Sequence, residues 1–241
     1  EFNEDSLTEL QKPWLTLLDS GVFPEMDADS PCGAVVNCEL WGPLIENSLS
    51  RWAANQGFAW YQAGISRDQA GAWVGAEEAW KRSLAVNWSP WAARNLAILA
   101  WKRGQIDQAA NLLVEASNSA PDVLPLAIEC GACLIRAGRY DDWLHIAEGL
   151  PQSLQSKNRI RLLEAQAALE LGDLVNVEEF FNEGGVVADL REGETSLTDL
   201  WIEYRVQKLC QEENLEEDAP EVIQFRENPP FPVEIDFRMR L

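Results

Sequence analysis

The sequence predicts an all-α fold, a solenoid of helical hairpins with a helical N-terminal extension, a C-terminal capping helix and an extended tail. A glycine ends a helix-like stretch three times at intervals of 34 residues, at Gly104, Gly138 and Gly172. Small and apolar residues recur at the same interval, at Ala97, Gly131 and Ala165 and at Ala100, Leu134 and Ala168. A constant interval of this length is typical of repeat proteins, in which each unit buries its apolar face against its neighbours.

The composition bounds the size and the partners of this fold. The 241 residues are 46 % hydrophobic, enough for one large domain or two small ones. The 40 acidic and 19 basic residues give a net charge of −21, and this field repels nucleic-acid phosphates and anionic lipid. No apolar run is long enough to span a bilayer. From the charge and the lack of such a run, we expect neither nucleic acid nor membrane as a partner. The chain begins at Glu1 without a signal-like segment, which indicates a fragment or processed chain and leaves its localisation open.

The N-terminal extension, residues 1–50, is less regular than the repeats. A capping-box spacing at Ser6–Glu9 predicts the start of a short helix, which Pro13 either interrupts or re-initiates. Residues 20–42 combine Gly, Pro, Asp and Ser and predict a loop. The pair Gly42–Pro43 then predicts a helix start, because proline is favoured at the first helical position.

Residues 90–121 carry the repeat motif most completely. Its positions are Leu96, Ala97, Gly104, Ile106, Ala109, Leu113, Ala116 and Pro121. Small residues let paired helices approach closely, a glycine with positive φ ends the first helix, and a proline stops the second. This pattern resembles the tetratricopeptide repeat (TPR) family. The resemblance implies a superhelix whose concave face is lined by the first helix of each pair.

Two later copies of the motif are degenerate. The copy at 125–150 places Trp143 where Ala109 stands, and the copy at 158–184 places Val177 there. A bulky residue at this close contact predicts a wider or tilted helix pair.

An earlier copy spans residues 52–88, so that about four helix pairs are expected across 51–185. Its landmarks are Trp52, Trp60, Ala76, Ala79 and Trp80. Its turn, Gly64–Gly71, is predicted to be longer than the motif allows.

The C-terminal part, residues 186–241, begins with a predicted capping helix at about 196–212. Its apolar face would cover the last repeat and consists of Leu197, Leu200, Trp201, Tyr204 and Leu209. Residues 211–221 are strongly acidic and predict a solvated loop.

The end of the chain changes to a period of two. Apolar residues at 233, 235, 237, 239 and 241 alternate with charged ones, which predicts a strand or an extended arm. The run Asp189–Tyr204, together with Asn228–Arg238, resembles the C-terminal part of microbial proteins in which a galactose-mutarotase-like β-rich domain precedes TPR repeats. This resemblance implies a helical module of a larger carbohydrate-related protein, and it carries over no catalytic residue.

The candidate chemistry is sparse, so catalysis, a metal site and a cofactor are not expected. His145 is the single histidine, and no nucleophile elbow or phosphate-binding glycine loop is present. The CxxC pair Cys130–Cys133 lacks a second pair and is predicted to be buried in a helix. Cys32 and Cys38 could form a disulfide if the chain were secreted. Paired carboxylates fall at starts of second helices, where the helix dipole favours them.

The predicted binding site is the concave face of the repeats, which combines tryptophan and basic side chains. Its candidate residues are Trp91, Arg94, Trp101, Lys102, Arg136 and Arg159. Such a strip suits a peptide carboxylate, an acidic segment or a sugar. The carboxylate clamp of chaperone-binding TPRs is not met, because Ile98 stands where the clamp needs asparagine. The first hypothesis is a non-catalytic interaction module that binds a partner segment or a neighbouring β-rich domain; the alternative is a carbohydrate-binding or carbohydrate-processing module.

Overall fold

A computed structural model describes residues 7–26, 38–51, 56–183 and 196–232. The chain divides into two compact units, Glu1–Leu126 and Ala127–Leu241. The described residues form thirteen helices and no strand. The helices are α1 (Lys12–Ser20), α2 (Cys38–Arg51), α3 (Gly57–Gln69), α4 (Trp73–Val86), α5 (Pro90–Lys102), α6 (Ile106–Ser119), α7 (Leu124–Arg136), α8 (Tyr140–Gly149), α9 (Gln152–Gln155), α10 (Asn158–Glu170), α11 (Leu174–Asn182), α12 (Ser196–Glu213) and α13 (Pro220–Glu227). The all-α prediction is confirmed.

Four helical hairpins have the same bend. The pairs are α3/α4, α5/α6, α7/α8 and α10/α11, and three residues connect each pair. The central residue is a glycine with φ of 75° at Gly71, 75° at Gly104, 70° at Gly138 and 77° at Gly172. The next backbone N–H bonds a carbonyl five residues earlier, as Gln105 does to Ala100 at 2.9 Å. The three glycine bends predicted from the repeat are therefore confirmed.

The prediction of a long first turn is wrong. Helix α3 continues through Gly64, and the bend is the short segment Ala70–Ala72, as in the other hairpins. Gly64 serves packing instead, because a Cβ atom there would overlap the indole ring of Trp80. The Trp80 Nε1–H donates to the carbonyl oxygen of Tyr61 at 3.2 Å in the same interface.

The N-terminal helices begin at places other than those predicted. Helix α1 begins at Lys12 and carries Pro13 in its first turn, so the proline initiates the helix. Helix α2 begins at Cys38, and Pro43 lies inside it. This proline removes one helical hydrogen bond, and packing of the helix stabilises it nonetheless, because its Ile45 and Leu49 are buried.

The core of the first unit joins the extension to the first two hairpins. One cluster of buried residues contains Trp14, Leu17, Phe23, Ile45, Leu49, Phe58, Ala59, Trp60, Ala63 and Ala79. A second contains Tyr61, Ala76, Trp80, Ala92, Leu96 and Leu99. Arg67 of α3 binds Glu46 of α2 through two hydrogen bonds, of 2.8 and 2.9 Å, and donates to the carbonyl oxygen of Gly75 at 3.0 Å. Helices α2, α3 and α4 are thus held by apolar contacts and by one guanidinium.

The second unit contains the predicted capping helix. Helix α12 covers the last hairpin with a buried cluster that includes Leu162, Leu169, Val177, Phe180, Leu197, Leu200, Trp201 and Tyr204. Its Leu209 is only half-buried. Helices α9 and α13 are not predicted by the sequence, and α13 begins inside the segment expected to be a loop. The predicted arm at 233–241, the landmark Trp52, and the Cys32–Cys38 pair lie outside the described residues or side chains.

A candidate partner-binding face on α5

Helix α5 begins with two local signals. Pro90 occupies its first turn, and the Oγ of Ser89 accepts a hydrogen bond from the backbone N–H of Ala92 at 3.5 Å. The helix ends before the bend glycine, Gly104. Between these two ends the helix is continuous, and each residue advances it by about 100°. The spacing of two residues along α5 therefore decides whether they lie on the same side of the helix.

The buried side of α5 is made of alanine and leucine. It consists of Ala92, Ala93, Leu96, Ala97, Leu99 and Ala100, all of them buried. This face packs against helices of the first unit, as the repeat motif predicts for its small residues.

The opposite side of α5 carries the predicted site residues Trp91, Arg94, Trp101 and Lys102 together with Ile98. These five positions fall within about 100° of arc, and neighbours are three or four residues apart, so their side chains adjoin on the helix surface. Lys102 is exposed, and the other four are half-buried. The α5 face, as we call these five residues, is therefore one continuous and partly accessible surface.

Two members of the α5 face have contacts at its margin. Trp91 packs against the buried cluster that contains Tyr61 and Trp80. The Nη1 of Arg94 donates to the Oδ1 of Asn95 at 3.2 Å. These contacts restrict the side chains, which lowers the entropy lost when a partner binds.

The other two predicted residues lie in the second unit. Arg136 is the last residue of α7 and is exposed, and the half-buried Ile128 and Ile135 lie on the same side of that helix. Arg159 is the second residue of α10 and is half-buried.

The equivalent face is partly covered in the first and fourth hairpins, where two of its five positions are buried in each. Counted back from the bend glycine, Phe58 and Tyr61 occupy the positions of Trp91 and Arg94, and both are buried. In the fourth hairpin, Leu162 and Leu169 occupy two equivalent positions and belong to the core beneath α12. Leu162 is therefore covered by the capping helix and is not accessible to a partner.

A cleft that the sequence does not reveal lies among α8, α10 and α11. Its volume is about 290 Å³, and it is lined by Leu144, Glu148, Arg161, Glu164, Ala165, Ala168, Asn176, Glu179, Phe180 and Glu183. The guanidinium of Arg161 pairs with Glu183 at 2.6 Å and lies 5.8 Å from the centre of the Phe180 ring. Burial raises the pKa of Glu164, Arg161 opposes this shift, and Glu148 adds to it. On α10, Arg159 lies about 160° around the axis from Arg161, so this cleft is separate from the predicted face.

Cys130, Cys133 and the histidine occupy the positions expected of structural residues. Cys130 and Cys133 are buried free thiols, and burial raises the pKa of Cys130 to about 12. A thiol with this pKa is not a thiolate at neutral pH. His145 is exposed. Across the described ranges, no group of three or more His, Cys, Asp or Glu side chains could hold a metal ion. In the part of the chain that the structure describes, every helix is too short or too polar to cross a bilayer.

The geometry defines a TPR-type array of helical hairpins. A solved structure titled "MamA AMB-1 P212121" is similar over 61 % of this chain and 90 % of its own, with 20 % identity and a TM-score of 0.44. No protein-family model matches the chain, and no curated protein matches it. The resemblance to mutarotase-containing proteins therefore finds no support among known proteins.

Proposed function

We propose that this chain is a non-catalytic protein-interaction scaffold that holds a partner segment on the α5 face. The observation that supports the proposal is the division of α5 into two sides. One side is alanine and leucine in the core, and the other carries the half-buried Trp91, Arg94 and Trp101 and the exposed Lys102.

The chemistry of this face suits a protein segment. Tryptophan and arginine are the residues that most often dominate binding energy at protein interfaces. The indole rings supply apolar contact area, and the guanidinium and ammonium groups bind carboxylates or backbone carbonyl oxygens. Arg136 and Arg159 are proposed as contacts of the same kind within the second unit.

The partner segment belongs either to another protein or to a β-rich domain of a longer chain. The second form of the proposal follows from the resemblance of Asp189–Tyr204 and Asn228–Arg238 to proteins with a mutarotase-like domain. A thermal-shift assay of the full chain with a separately produced upstream domain of the native gene tests this form. An unchanged melting temperature at a saturating concentration would count against it.

Peptide display tests the general proposal without assuming a partner. A random peptide library is selected on the full chain, and the affinities of the enriched peptides are measured for two tryptophan variants. Trp101→Ala removes one of the two indole rings of the face, and we expect affinity to fall about tenfold or more. Trp88→Ala is the matched control, because Trp88 precedes α5 and donates from Nε1 to Ser119 Oγ at 2.7 Å. Equal losses in the two variants, or the absence of enriched peptides, would contradict the proposal.

The carbohydrate alternative rests on the same aromatic rings, which can stack on sugars. Titration of the full chain with a panel of neutral oligosaccharides, followed by tryptophan fluorescence, tests it. A saturable change that is lost in Trp101→Phe would favour the alternative. If the fluorescence does not change with any oligosaccharide, the carbohydrate alternative is rejected and the protein-segment proposal remains.

A further inference from the structure

The cleft among α8, α10 and α11 lies at the joint between the third and fourth hairpins. Four of its lining residues lie on α10, at 161, 164, 165 and 168, and four lie on or directly after α11, at 176, 179, 180 and 183. Residues spaced by three, four and seven positions share one side of a helix, so these two stripes form two walls of the cleft. Leu144 and Glu148 of α8 line the third side.

The repeat register shows that the fourth hairpin has an unusual composition at this joint. At two positions of the first helix, eight and eleven residues before the bend glycine, the first three hairpins carry buried residues. These are Ala63, Leu96 and Cys130 at the first position and Trp60, Ala93 and Ala127 at the second. The fourth hairpin carries Glu164 and Arg161 at these positions, and both line the cleft. Charged side chains therefore stand where the other hairpins place residues of the core.

The carboxylates of the cleft outnumber its positive charges. The guanidinium of Arg161 pairs with Glu183 at 2.6 Å. The carboxylates of Glu148, Glu164 and Glu179 have no hydrogen bond and no ion pair with the described residues. Glu164 and Glu179 are half-buried. Partial burial of a carboxylate without a counter-ion is unfavourable, and a bound cation would offset this cost.

Glu148 and Glu164 also repel each other across the joint of the two hairpins. Burial raises the pKa of Glu164, Arg161 opposes this shift, and the charge of Glu148 adds to it. A positive charge placed between the two carboxylates would replace one repulsion by two attractions.

The rest of the cleft offers apolar surface. Ala165, Ala168 and Phe180 are all buried and line it beside the carboxylates. Buried apolar side chains of this kind suit the methylene groups of a ligand, as they suit the stem of a lysine side chain. The cleft therefore combines a negatively charged part with an apolar part.

We propose that this cleft binds a small aliphatic amine, with its ammonium group among Glu148, Glu164 and Glu179 and its methylene chain on Ala165 and Ala168. The cleft has a volume of about 290 Å³, near the lower end of the range for ligand sites, which suits a small molecule. The stripe from residue 161 to residue 168 is about 10 Å long, enough for an ammonium group and a chain of about five carbon atoms.

An organic cation fits the cleft better than a metal ion does. Among the described residues, no group of three or more acidic, histidine or cysteine side chains could hold a metal ion. Metal ions require oxygen ligands at about 2.0–2.6 Å. An ammonium group has three donors and bonds carboxylates at about 2.8 Å, so it accepts a wider arrangement. It also brings the methylene groups that the apolar part of the cleft can cover.

Isothermal titration calorimetry of the full chain with 1-aminopentane tests this inference. The matched ligand control is 1-pentanol, which has the same carbon chain and no charge. We expect 1-pentanol to bind about tenfold or more weakly, since hydrogen bonds between charged groups are the stronger ones. Equal affinities, or no binding of 1-aminopentane, would overturn the inference.

Charge variants locate the bound amine. Glu164→Gln is expected to weaken binding of 1-aminopentane about tenfold. Glu170→Gln is the matched control, because Glu170 is an exposed residue of the same helix that accepts a hydrogen bond from the Tyr140 hydroxyl instead. Equal losses in the two variants would mean that the amine senses only the general negative field of the chain, and would overturn the assignment to the cleft.

A third variant separates a binding role of Glu164 from a purely structural one. Glu164→Leu introduces the side chain that the second hairpin carries at this position. We expect it to abolish binding of 1-aminopentane and to raise the melting temperature by about 2–4 °C, because a half-buried carboxylate without a counter-ion is removed. A lower melting temperature together with unchanged binding would overturn the inference.

Two competing ligands test the chemistry of the occupant. Magnesium chloride that displaces 1-aminopentane at equal ionic strength would show a site that recognises charge alone, and would overturn the proposal. Binding of the lysine peptide AAKAA without binding of 1-aminopentane would assign the cleft to a protein side chain and overturn the small-molecule ligand. The α5 face lies in the first unit, so each of these outcomes is independent of the proposed function.

Discussion

The indole ring of Trp143 lies against the backbone of Gly131, so closely that a Cβ atom on Gly131 would stand 2.8 Å from Cζ2 of the ring. Trp143 is fully buried and takes the place that Ala109 holds in the second hairpin. The volume of the indole is therefore matched by the missing side chain on the facing helix. The sequence predicts a wider or tilted helix pair at this contact, and Gly131 provides room for the ring within the pair.

The first prediction follows from this contact. Gly131→Ala should lower the free energy of unfolding by up to about 2 kcal/mol, because overpacking costs about 1–3 kcal/mol and the better helix propensity of alanine returns about 1 kcal/mol. The measurement is urea denaturation followed by circular dichroism. Gly149→Ala is the control, since no atom lies within 4 Å of a Cβ atom placed there. Similar effects of the two substitutions would contradict the close contact.

A double-mutant cycle tests the same contact independently of the higher helix propensity of alanine. In a Trp143→Leu background the ring is absent, and Gly131→Ala should become neutral or stabilising by up to about 1 kcal/mol. A Gly131→Ala effect that does not depend on residue 143 would show that the overlap is not its cause.

The second prediction concerns the bend at Gly104, whose φ is 75°. No atom lies within 4 Å of a Cβ atom placed there, so the only cost of a side chain is the left-handed backbone. Gly104→Ala should destabilise the chain by about 1 kcal/mol, and Gly104→Asn by less, because asparagine tolerates this conformation. Thermal unfolding of the three proteins checks the order. Equal stability of the alanine variant and the wild type would be inconsistent with the bend.

The third prediction concerns the guanidinium of Arg67, which joins α3 to α2 and α4. Its side chain is 24 % exposed, and the hydrogen bonds with Glu46 raise its pKa, so it is charged at every accessible pH. Arg67→Lys loses the two-bond geometry and the bond to the Gly75 carbonyl, and should cost about 1–2 kcal/mol. The control is Lys81→Ala, an exposed ion pair worth less than about 0.5 kcal/mol. The urea midpoints of the two variants are compared. If Arg67→Lys costs no more stability than Lys81→Ala, the stabilising role of the Arg67 guanidinium is refuted.

The fourth prediction is a pH dependence from Cys130. Its folded pKa is about 12 and its ordinary value is 9.0, so the unfolded thiol ionises first as the pH rises. Stability from this group is complete below pH 9 and is lost between pH 9 and 12, by about 2 kcal/mol at pH 10.5. Wild type should therefore lose this much stability relative to Cys130→Ala between pH 8 and 10.5. Parallel curves for the two proteins would show that the thiol is not buried.

A thiol reagent checks the same burial at pH 8. In a Cys32→Ser/Cys38→Ser background, the half-buried Cys210 should react first. Cys130 and Cys133 should react only at the rate of unfolding. Rapid reaction of all three thiols would contradict the packing of α7.

The sequence predicted the parts of the fold that depend on neighbouring residues. The bends at Gly104, Gly138 and Gly172 follow from the backbone preference of glycine, and the helix at Ser196–Glu213 follows from its apolar period. Likewise, the division of α5 into a buried and an accessible side is visible in the spacing of its alanines and leucines. Each of these signals acts within one or two helical turns.

The misjudged parts depend on contacts between distant segments. Gly64 looks like a turn residue in the sequence, and only the ring of Trp80 shows that it is a packing residue. Pro43 looks like a helix start, whereas the helix begins at Cys38, and only the packing of Trp41 against the ring of Trp14 shows what holds the part of the helix that precedes the proline.

The sequence by itself determined that paired helices recur with a glycine bend and that α5 carries aromatic and basic residues on one side. Tertiary structure alone decided which hairpins keep that side accessible. It is partly covered in the first hairpin, where Phe58 and Tyr61 are buried, and in the fourth, where α12 covers Leu162 and Leu169. The reason is physical: helix periodicity sets the direction of a side chain locally, whereas its burial depends on segments that the chain brings back from far along its length.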